Sequence, residues 1–378
     1  MSHAIVIGGG IVGLVTASVL SKKFDRVTVI DQDSMIGSDE PRTGVPHGQH
    51  LHVLLSRGFQ ILEDLFPGVS DELYRSGCPR VDWALDTLWE NRFGSFPRYE
   101  SKIKTWSMSR PFLESRIFLR VSQKKNIHFH QGVVTNLEIL ENRFVGVGIP
   151  KGGIEADYCV IAGGQNFSKR ILKEFIQNEK EQNIRLTYRT ALLEGVLKKE
   201  YKQRYYQIDP ICEKYGGVLM PIEKNRYLMT LVEYGDPPRP KISFEEFKSL
   251  AEQVPNQAMA DTLKHAVPVA PLSVYYKQKM HLRKFKLPLN LQIIGDTHVS
   301  LNPVFGQGMT LGLMHAAEIN KQKIDPVVSK FERAAYFMGD LASRKHSSSV
   351  KSALDLYLRL CQRSKFFHYQ FLKELHFL

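Results

Sequence analysis

The sequence predicts an α/β fold. It should hold a parallel sheet wound with helices, an α+β region built on an antiparallel sheet, and a helical segment at residues 346–378. Three observations lead there. The chain opens with an apolar strand, a glycine turn, an apolar helix and a β-branched strand, and so short a crossover makes the two strands parallel. Residues 154–161 and 291–295 return to near-continuous apolar runs, the pattern of strands covered on both faces. Between them, residues 184–235 are long and strand-rich (RLTYRTALLEGV, YYQIDPI, GGVLMPIE, RYLMTLVEY), as an antiparallel sheet would be.

Taken in order, residues 3–7 are a strand, 11–22 a helix and 26–31 (RVTVID) a strand. Residues 4–20 are apolar enough to pass for a signal or membrane segment. No basic stretch precedes them, no stop-transfer pattern follows, and four glycines stand in a fixed array, so a buried strand, turn and helix is the better reading. A Gly/Pro/His-rich loop covers 37–52. Residues 56–66 show helical periodicity at Phe59, Leu62 and Phe66, stopped by Pro67-Gly68. Residues 78–106 carry all three tryptophans and read as irregular or extended. Residues 109–125 form an amphipathic helix, with Ser109 as N-cap and Pro111 in the first turn, where its missing N–H costs little. Short strands follow at 127–130, 133–140, 143–149 and 154–161. After the antiparallel region come helices at 244–254 and 257–265, the strand LSVYYKQKM, the strand at 291–295, a helix at 308–320 and a basic helical stretch.

Composition excludes several classes. With 43% hydrophobic and 24% charged residues over 378 positions, the chain is an ordinary globular protein with room for a real core. Its four cysteines lack any CxxC or Cys/His spacing, which argues against a disulfide framework or zinc site and for a reducing, cytoplasmic setting. The net charge of +12 is spread along the chain without a helix-turn-helix, RRM or zinc-finger pattern, so nucleic acid is not an expected partner.

Two motifs carry chemistry. Gly8-Gly9-Gly10-Ile11-Val12-Gly13 has the G-x-G-x-x-G spacing, follows a strand and opens a helix. Glycines at Gly8, Gly10 and Gly13 allow a tight turn, close approach of a pyrophosphate, and packing of helix on strand. The helix start offers unpaired N–H groups and partial positive charge to an anion. Asp31 ends the second strand, near the offset of about 20 residues expected for a ribose-binding carboxylate. The second motif is Gly295-Asp296 followed by Pro303, Gly306 and Gly308. It places a carboxylate and another helix start at strand C-termini, where open α/β sheets bind ligands.

With both motifs in this order, the sequence resembles the FAD-dependent aromatic hydroxylase and polyene epoxidase group of flavin monooxygenases (group A, 2-polyprenyl-6-methoxyphenol hydroxylase-like). VIGGGIVGLVTASVL followed by VTVID resembles its N-terminal fingerprint, and GDTHVSLNPVFGQGMTLGL its flavin-binding signature. RTGVPHGQHLHVLLSRGFQILEDLFPG and SRPFLESRIFLRV resemble a narrower subgroup. The resemblance spans nearly the whole chain. It implies a Rossmann-type FAD-binding domain from residues 1–80, 107–182 and 288–345, a substrate domain from 81–106 and 183–287, and a C-terminal helical segment. Arg42 would lie by the flavin and Arg110 on the ribityl–pyrophosphate side, both suited to anions. The implied reaction is hydroxylation or epoxidation of a hydrophobic, electron-rich aromatic or unsaturated small molecule. NADPH or NADH would be the electron donor, molecular oxygen the co-substrate, and a flavin C4a-hydroperoxide the oxidant.

One segment departs from the family. Where its members carry Asp-Gly or Asp-Ala-Ser-Gly, this chain reads Val160-Ile161-Ala162-Gly163-Gly164-Gln165. Gly164 preserves close backbone approach to FAD, but the missing Asp leaves nicotinamide use open. A non-redox flavoprotein that templates cyclisation or binds a ligand, and a flavin-dependent isoprenoid reductase, therefore remain alternatives. No second G-x-G-x-x-G marks a separate NAD(P)H domain, and the W-x-W-x-I-P pattern of flavin halogenases is absent. No catalytic acid or base stands out. His47, His50 and His52 lack acidic or Cys neighbours, so loop packing is expected over metal binding. Tyr206, Met220, Tyr227 and Met229 are expected in the core, with one or two lining a cavity. A helix at 354–378, with Arg359, Arg363, Lys365 and Lys373, either packs on the substrate domain or rests on an anionic membrane.

Overall fold

The structure is a computed structural model that describes residues 1–34, 37–196, 200–255, 258–319, 325–342 and 348–378. Its first sheet has five parallel strands in the spatial order Leu291–Ile293, Tyr158–Ile161, His3–Ile7, Arg26–Asp31, Ile127–Gln131. His3–Ile7 is central, and its residues divide by the strand period of two. Ala4 and Val6 join the cluster holding Ile11, Leu14 and Leu313, from helices Ile11–Leu20 and Gln307–Glu318. Ile5 and Ile7 face Phe144 and Val147 on the opposite side, where a three-stranded antiparallel sheet (Asn136–Leu140, Arg143–Ile149, Gly152–Glu155) covers them. Both faces are dry, which is why the strand has no polar alternation. Ile5→Ala would cost about 2–5 kcal/mol, as buried large-to-small changes do.

The second sheet is larger and mostly antiparallel, in the order Val299–Ser300, Ser273–Phe285, Ile176–Glu194, Arg226–Tyr234, Tyr215–Ile222, Gln203–Tyr206, Thr87–Asn91, Gly94–Ser95. Gln203–Tyr206 and Thr87–Asn91 are its parallel pair. Strand Ile176–Glu194 runs unbroken through residues 182 and 183, with a register shift against its neighbour between Asn183 and Leu186. Arg185, at φ 49°, occupies that irregularity. Helices Phe244–Ala251 and Ala258–Leu263 cover one face, burying Phe247, Met259 and Leu263 on Met229 and Leu231. Met220 and Met229 are core. Tyr227 packs partly buried on that cluster, while Tyr206 both packs there and lines a pocket.

The helix after residue 109 forms as its cap dictates: the Ser109 hydroxyl accepts from the Phe112 N–H, and Arg110–Ser122 follows. Two expectations are corrected. The apolar run at 154–161 is two strands, because Gly152–Glu155 turns back on Arg143–Ile149 before Tyr158–Ile161 enters the parallel sheet. The C-terminal helix is also two, Ser348–Arg363 and Lys365–Leu375, separated at Ser364 with φ −137° and ψ 120°. Extended backbone there lets the second helix fold back, burying Phe371 and Leu372 with Trp89 and Phe96. Leu356 and Phe366 remain exposed. Positions 257, 320 and 346–347 of the expected segments lie outside the described residues. Among the described residues no helix is long and apolar enough to cross a membrane.

Candidate functional site

A cleft of about 530 Å³ opens where the parallel strands end, with the large sheet as its far wall. Gly8, Gly10, Asp31, Arg42, Arg110, Gly164, Asp296, Pro303, Gly306 and Gly308 all line it. Gly13 stands one layer behind, outside the lining.

The glycine turn is built by exclusion. Gly8 has φ 102°, and a Cβ there would meet the Ala162 carbonyl oxygen at 2.5 Å. A Cβ on Gly13 would collide with the Gly8 carbonyl, so this residue sets how closely helix and turn pack. Helix Ile11–Leu20 starts at Gly10 with no side chain capping it, which leaves first-turn N–H groups for a ligand. Asp31 is pinned at its strand end: one oxygen accepts from Gly9 N–H at 2.5 Å, the other from Asp33 N–H at 2.9 Å.

Two arginines face this turn. Arg42 Nε donates to Glu114 Oε1 at 2.6 Å, and its Nη1 stands 3.3 Å from Asp31 Oδ1. Burial works against its charge, but Glu114, Asp31 and Asp33 hold its pKa above the ordinary value. Arg42 thus lies at the Asp31 end of the cleft, beside Gly10. Arg110, at its helix start, donates through Nη1 to His47 Nε2 at 2.7 Å and reaches His52 Nε2 at 3.3 Å. Burial, then the Arg110 charge, push both histidines down, His52 to about 3. Both are neutral, and their bare nitrogens accept. His52 Nδ1 bonds the His50 carbonyl at 2.8 Å. The histidine loop therefore serves as a rack for Arg110. Arg110 Nε and Arg42 Nη1 are buried without a hydrogen bond.

At the other end, Gly295 (φ 63°) and Gly306 (φ 64°) take left-handed conformations around Asp296 and Pro303. Helix Gln307–Glu318 starts there, again with no side-chain cap. Thr297 Oγ1 donates to the Gly164 carbonyl at 3.1 Å, tying this loop to the Gly163-Gly164 turn. A Cβ on Gly164 would meet nothing within 4 Å, so the backbone there is open to the cleft.

Sequence reasoning missed three residues here. Glu114 joins the two arginines, and its i,i+4 spacing from Arg110 was a usable signal. Tyr275 and Lys277 alternate onto one face of strand Ser273–Phe285 and line the cleft. Lys277 Nζ donates to Ser300 Oγ at 2.6 Å, and burial lowers its pKa against the pull of Asp296. Beside the cleft, and sharing Leu51, Val53, Tyr188, Pro303 and Gly306 with it, is an aromatic pocket of about 60 Å³ walled by Trp83, Trp89, Tyr205, Val218 and Phe305.

A parallel sheet with a glycine turn and acidic strand end, set against a large antiparallel sheet, defines a Rossmann-type protein with the fold of the flavin monooxygenases. Residues 6–67 match the model of the NAD(P)-binding Rossmann-like domain. A relative, Protein Rv3254 of Mycobacterium tuberculosis (strain ATCC 25618 / H37Rv), is 25% identical over 383 residues, covering 94% of this chain and 78% of its own. Three solved structures share the fold. The flavin-dependent brominase Bmp2 has a TM-score of 0.68 at 15% identity, covering 99% of this chain and 94% of its own. The p-nitrophenol 4-monooxygenase PnpA from Pseudomonas putida DLL-E4 gives 0.67 at 14%, with 100% and 99% covered. PqsL of P. aeruginosa gives 0.67 at 13%, with 90% and 94% covered. At these identities the likeness is one of fold.

Proposed function

We propose that this chain is an FAD-dependent oxidoreductase, specifically a monooxygenase that hydroxylates or epoxidises a hydrophobic, electron-rich small molecule. The observation that carries this reading is the single cleft that brings residues 8–31 and 295–308 together with two uncapped helix starts and two buried arginine nitrogens that make no hydrogen bond. That donor set fits a long, doubly anionic dinucleotide. Asp31 would accept from ribose hydroxyls, the turn at Gly8 and Gly10 with Arg110 would hold the pyrophosphate, and Asp296 would accept from the ribityl chain. The start of Gln307–Glu318 would favour negative charge at its end of the cofactor. Bound FAD would supply two-electron chemistry and oxygen activation. The aromatic pocket would keep water out and hold the substrate against the cleft. NADPH or NADH would be the reductant. The names of the fold neighbours, a flavin-dependent brominase and a monooxygenase, support this class of chemistry.

The test is stopped-flow absorbance of the FAD-loaded protein mixed with NADPH or NADH, first without oxygen and then with it. Bleaching of the flavin band followed by oxygen-dependent recovery with product supports the reading. A flavin that stays oxidised at high NAD(P)H, with substrates present, sinks it. That outcome would favour the non-redox alternative, which the Gly163-Gly164 pair in place of an Asp already suggests. Reduction without oxygen uptake would favour the isoprenoid reductase.

A further inference from the structure

Most polar atoms in the wall of the aromatic pocket are tied up within the protein. Trp83 Nε1 donates to Thr105 Oγ1 at 2.8 Å, and the Tyr206 hydroxyl to Glu213 Oε1 at 2.6 Å. The Tyr205 hydroxyl meets Met220 Sδ at 3.3 Å, and Thr230 Oγ1 pairs with Thr190 Oγ1 at 2.7 Å. Among the described residues that line the pocket none is charged. A carboxylate or ammonium entering here would lose its hydration and gain no counter-charge, which is costly.

Gln207, which also lines the pocket, differs. Its backbone N–H donates to the Glu90 carbonyl at 2.8 Å, and its side chain meets Trp89 Nε1 at 3.2 Å. An indole N–H can only donate, so the amide oxygen is the atom that faces it. The Trp89 ring is held in place, stacked on Tyr205 at 5.2 Å and edge-on to Phe371 at 5.4 Å. Gln207 Nε2 therefore keeps its N–H donors, and it bonds no described residue. Tyr188, whose hydroxyl also bonds no described residue, marks the opposite end, because it lines both the pocket and the cleft. Tyr188 pairs with Val232, Val232 with Gly216, and Tyr206, just before Gln207, with Gly217. Those are three inter-strand spacings, so Gln207 stands roughly 14 Å from Tyr188 across the sheet.

We propose that Gln207 sets the specificity of the pocket. It selects a neutral, flat molecule whose carbonyl or ether oxygen accepts from Gln207 Nε2, with the opposite edge of the molecule turned to the cleft. This rests on the reading that the pocket holds the substrate and the cleft the cofactor. The amide at the far end is matched by an acceptor, not by another N–H. An aliphatic group placed there would shut Nε2 away from water unpaired, a penalty that a carbonyl oxygen removes. Trp89 is a positioning residue in this scheme: its indole holds the amide oxygen, and the amide nitrogen holds the ligand. Orientation follows as well. With the oxygen at Gln207, the ring edge remote from it is the part presented to the cleft.

The test measures, by equilibrium dialysis, the affinity of the FAD-loaded protein for acetophenone, 1-phenylethanol, isopropylbenzene and benzoate. The first three share a shape and differ in the group offered to Gln207. The wild type should bind acetophenone roughly 2–10-fold tighter than isopropylbenzene, the worth of one net hydrogen bond, and should not bind benzoate. Q207M keeps the length of the side chain and should erase the ketone preference. Its affinity for isopropylbenzene should stay at the wild-type value, which reports an intact pocket. Q207E still accepts from Trp89 but offers the ligand an acceptor, so 1-phenylethanol should overtake acetophenone. W89F keeps an aromatic wall but frees the amide to flip, and should narrow the ketone preference. A wild type that binds acetophenone and isopropylbenzene equally, a ketone preference that survives Q207M, or binding of none of the probes would overturn the proposal. Dialysis reads binding without turnover, so a flavin that NAD(P)H cannot reduce defeats the monooxygenase reading and leaves this result standing.

Discussion

The cleft and the pocket share five residues yet are made in different ways. The cleft is a backbone object: its shape comes from where a Cβ is forbidden, at Gly8 and Gly13, and from two helix starts that no side chain caps. Its side chains are charged and cross-braced through Glu114. The pocket is a side-chain object, with Trp83, Trp89, Tyr205 and Phe305 standing on strands and loops far apart in sequence. A backbone site can bind only what fits one fixed geometry. A side-chain site can change its ligand by single substitutions while the scaffold stays put.

The sharpest way to break this contrast is Gly13→Val. The side chain would collide with the Gly8 carbonyl, which cannot rotate away, so the cost should exceed the usual overpacking penalty of about 1–3 kcal/mol. FAD content after gel filtration should fall to near zero, and a fully yellow variant would disprove the backbone account. Next comes Arg110→Met, which removes a charged donor from the cleft. FAD affinity by calorimetry should drop about 10–100-fold, the worth of a charged hydrogen bond of about 1.5–3 kcal/mol. Arg110→Lys should not restore it, because one ammonium cannot both reach His47, as Nη1 does, and keep the separate Nε donor free for a ligand. On the pocket side, Val218→Trp should abolish binding of an aromatic ligand while FAD affinity stays at the wild-type value. Equal loss of both would mean the two regions are one site.

The smallest effect is on acid stability. His50, His52 and His376 are pushed by burial from 6.5 to about 4, 3 and 3. Above about pH 6.5 these groups are neutral in folded and unfolded chains alike. As pH falls below that, the unfolded chain takes up protons that the folded one refuses, so stability is lost progressively toward pH 3–4. Melting temperature should decline through this window, and His376→Gln should flatten the decline. An unchanged slope would mean His376 is protonated in the fold.

The same contrast decides what could be read in advance. The turn, Asp31, Asp296 and the second helix start are local patterns, and the structure brings them to one cleft. Glu114 escaped notice because an acidic residue on an amphipathic helix reads as solvated surface. Lys277 and Tyr275 escaped because a strand shows which residues share a face but not what that face meets. The break at Ser364 carries no Gly or Pro. It exists because Phe371, Leu372 and Leu375 gain a buried face by folding back, which is a tertiary gain. The split at Ala156 was hidden likewise, since neither Gly nor Pro marks the passage from Glu155 to Tyr158.

The edge strand Leu291–Ile293 and helix Gln307–Glu318, which packs on Ile11–Leu20, come late in the chain. During translation, at about 5–20 residues per second, the turn at residues 8–13 therefore waits on the order of tens of seconds for the second half of its binding site. Over that interval one of the most apolar stretches of the chain, residues 4–20, has no complete cover. A bare apolar stretch of that kind is what would engage ribosome-associated chaperones, and the turn can meet a ligand in the finished cleft only after the last parallel strand has left the exit tunnel.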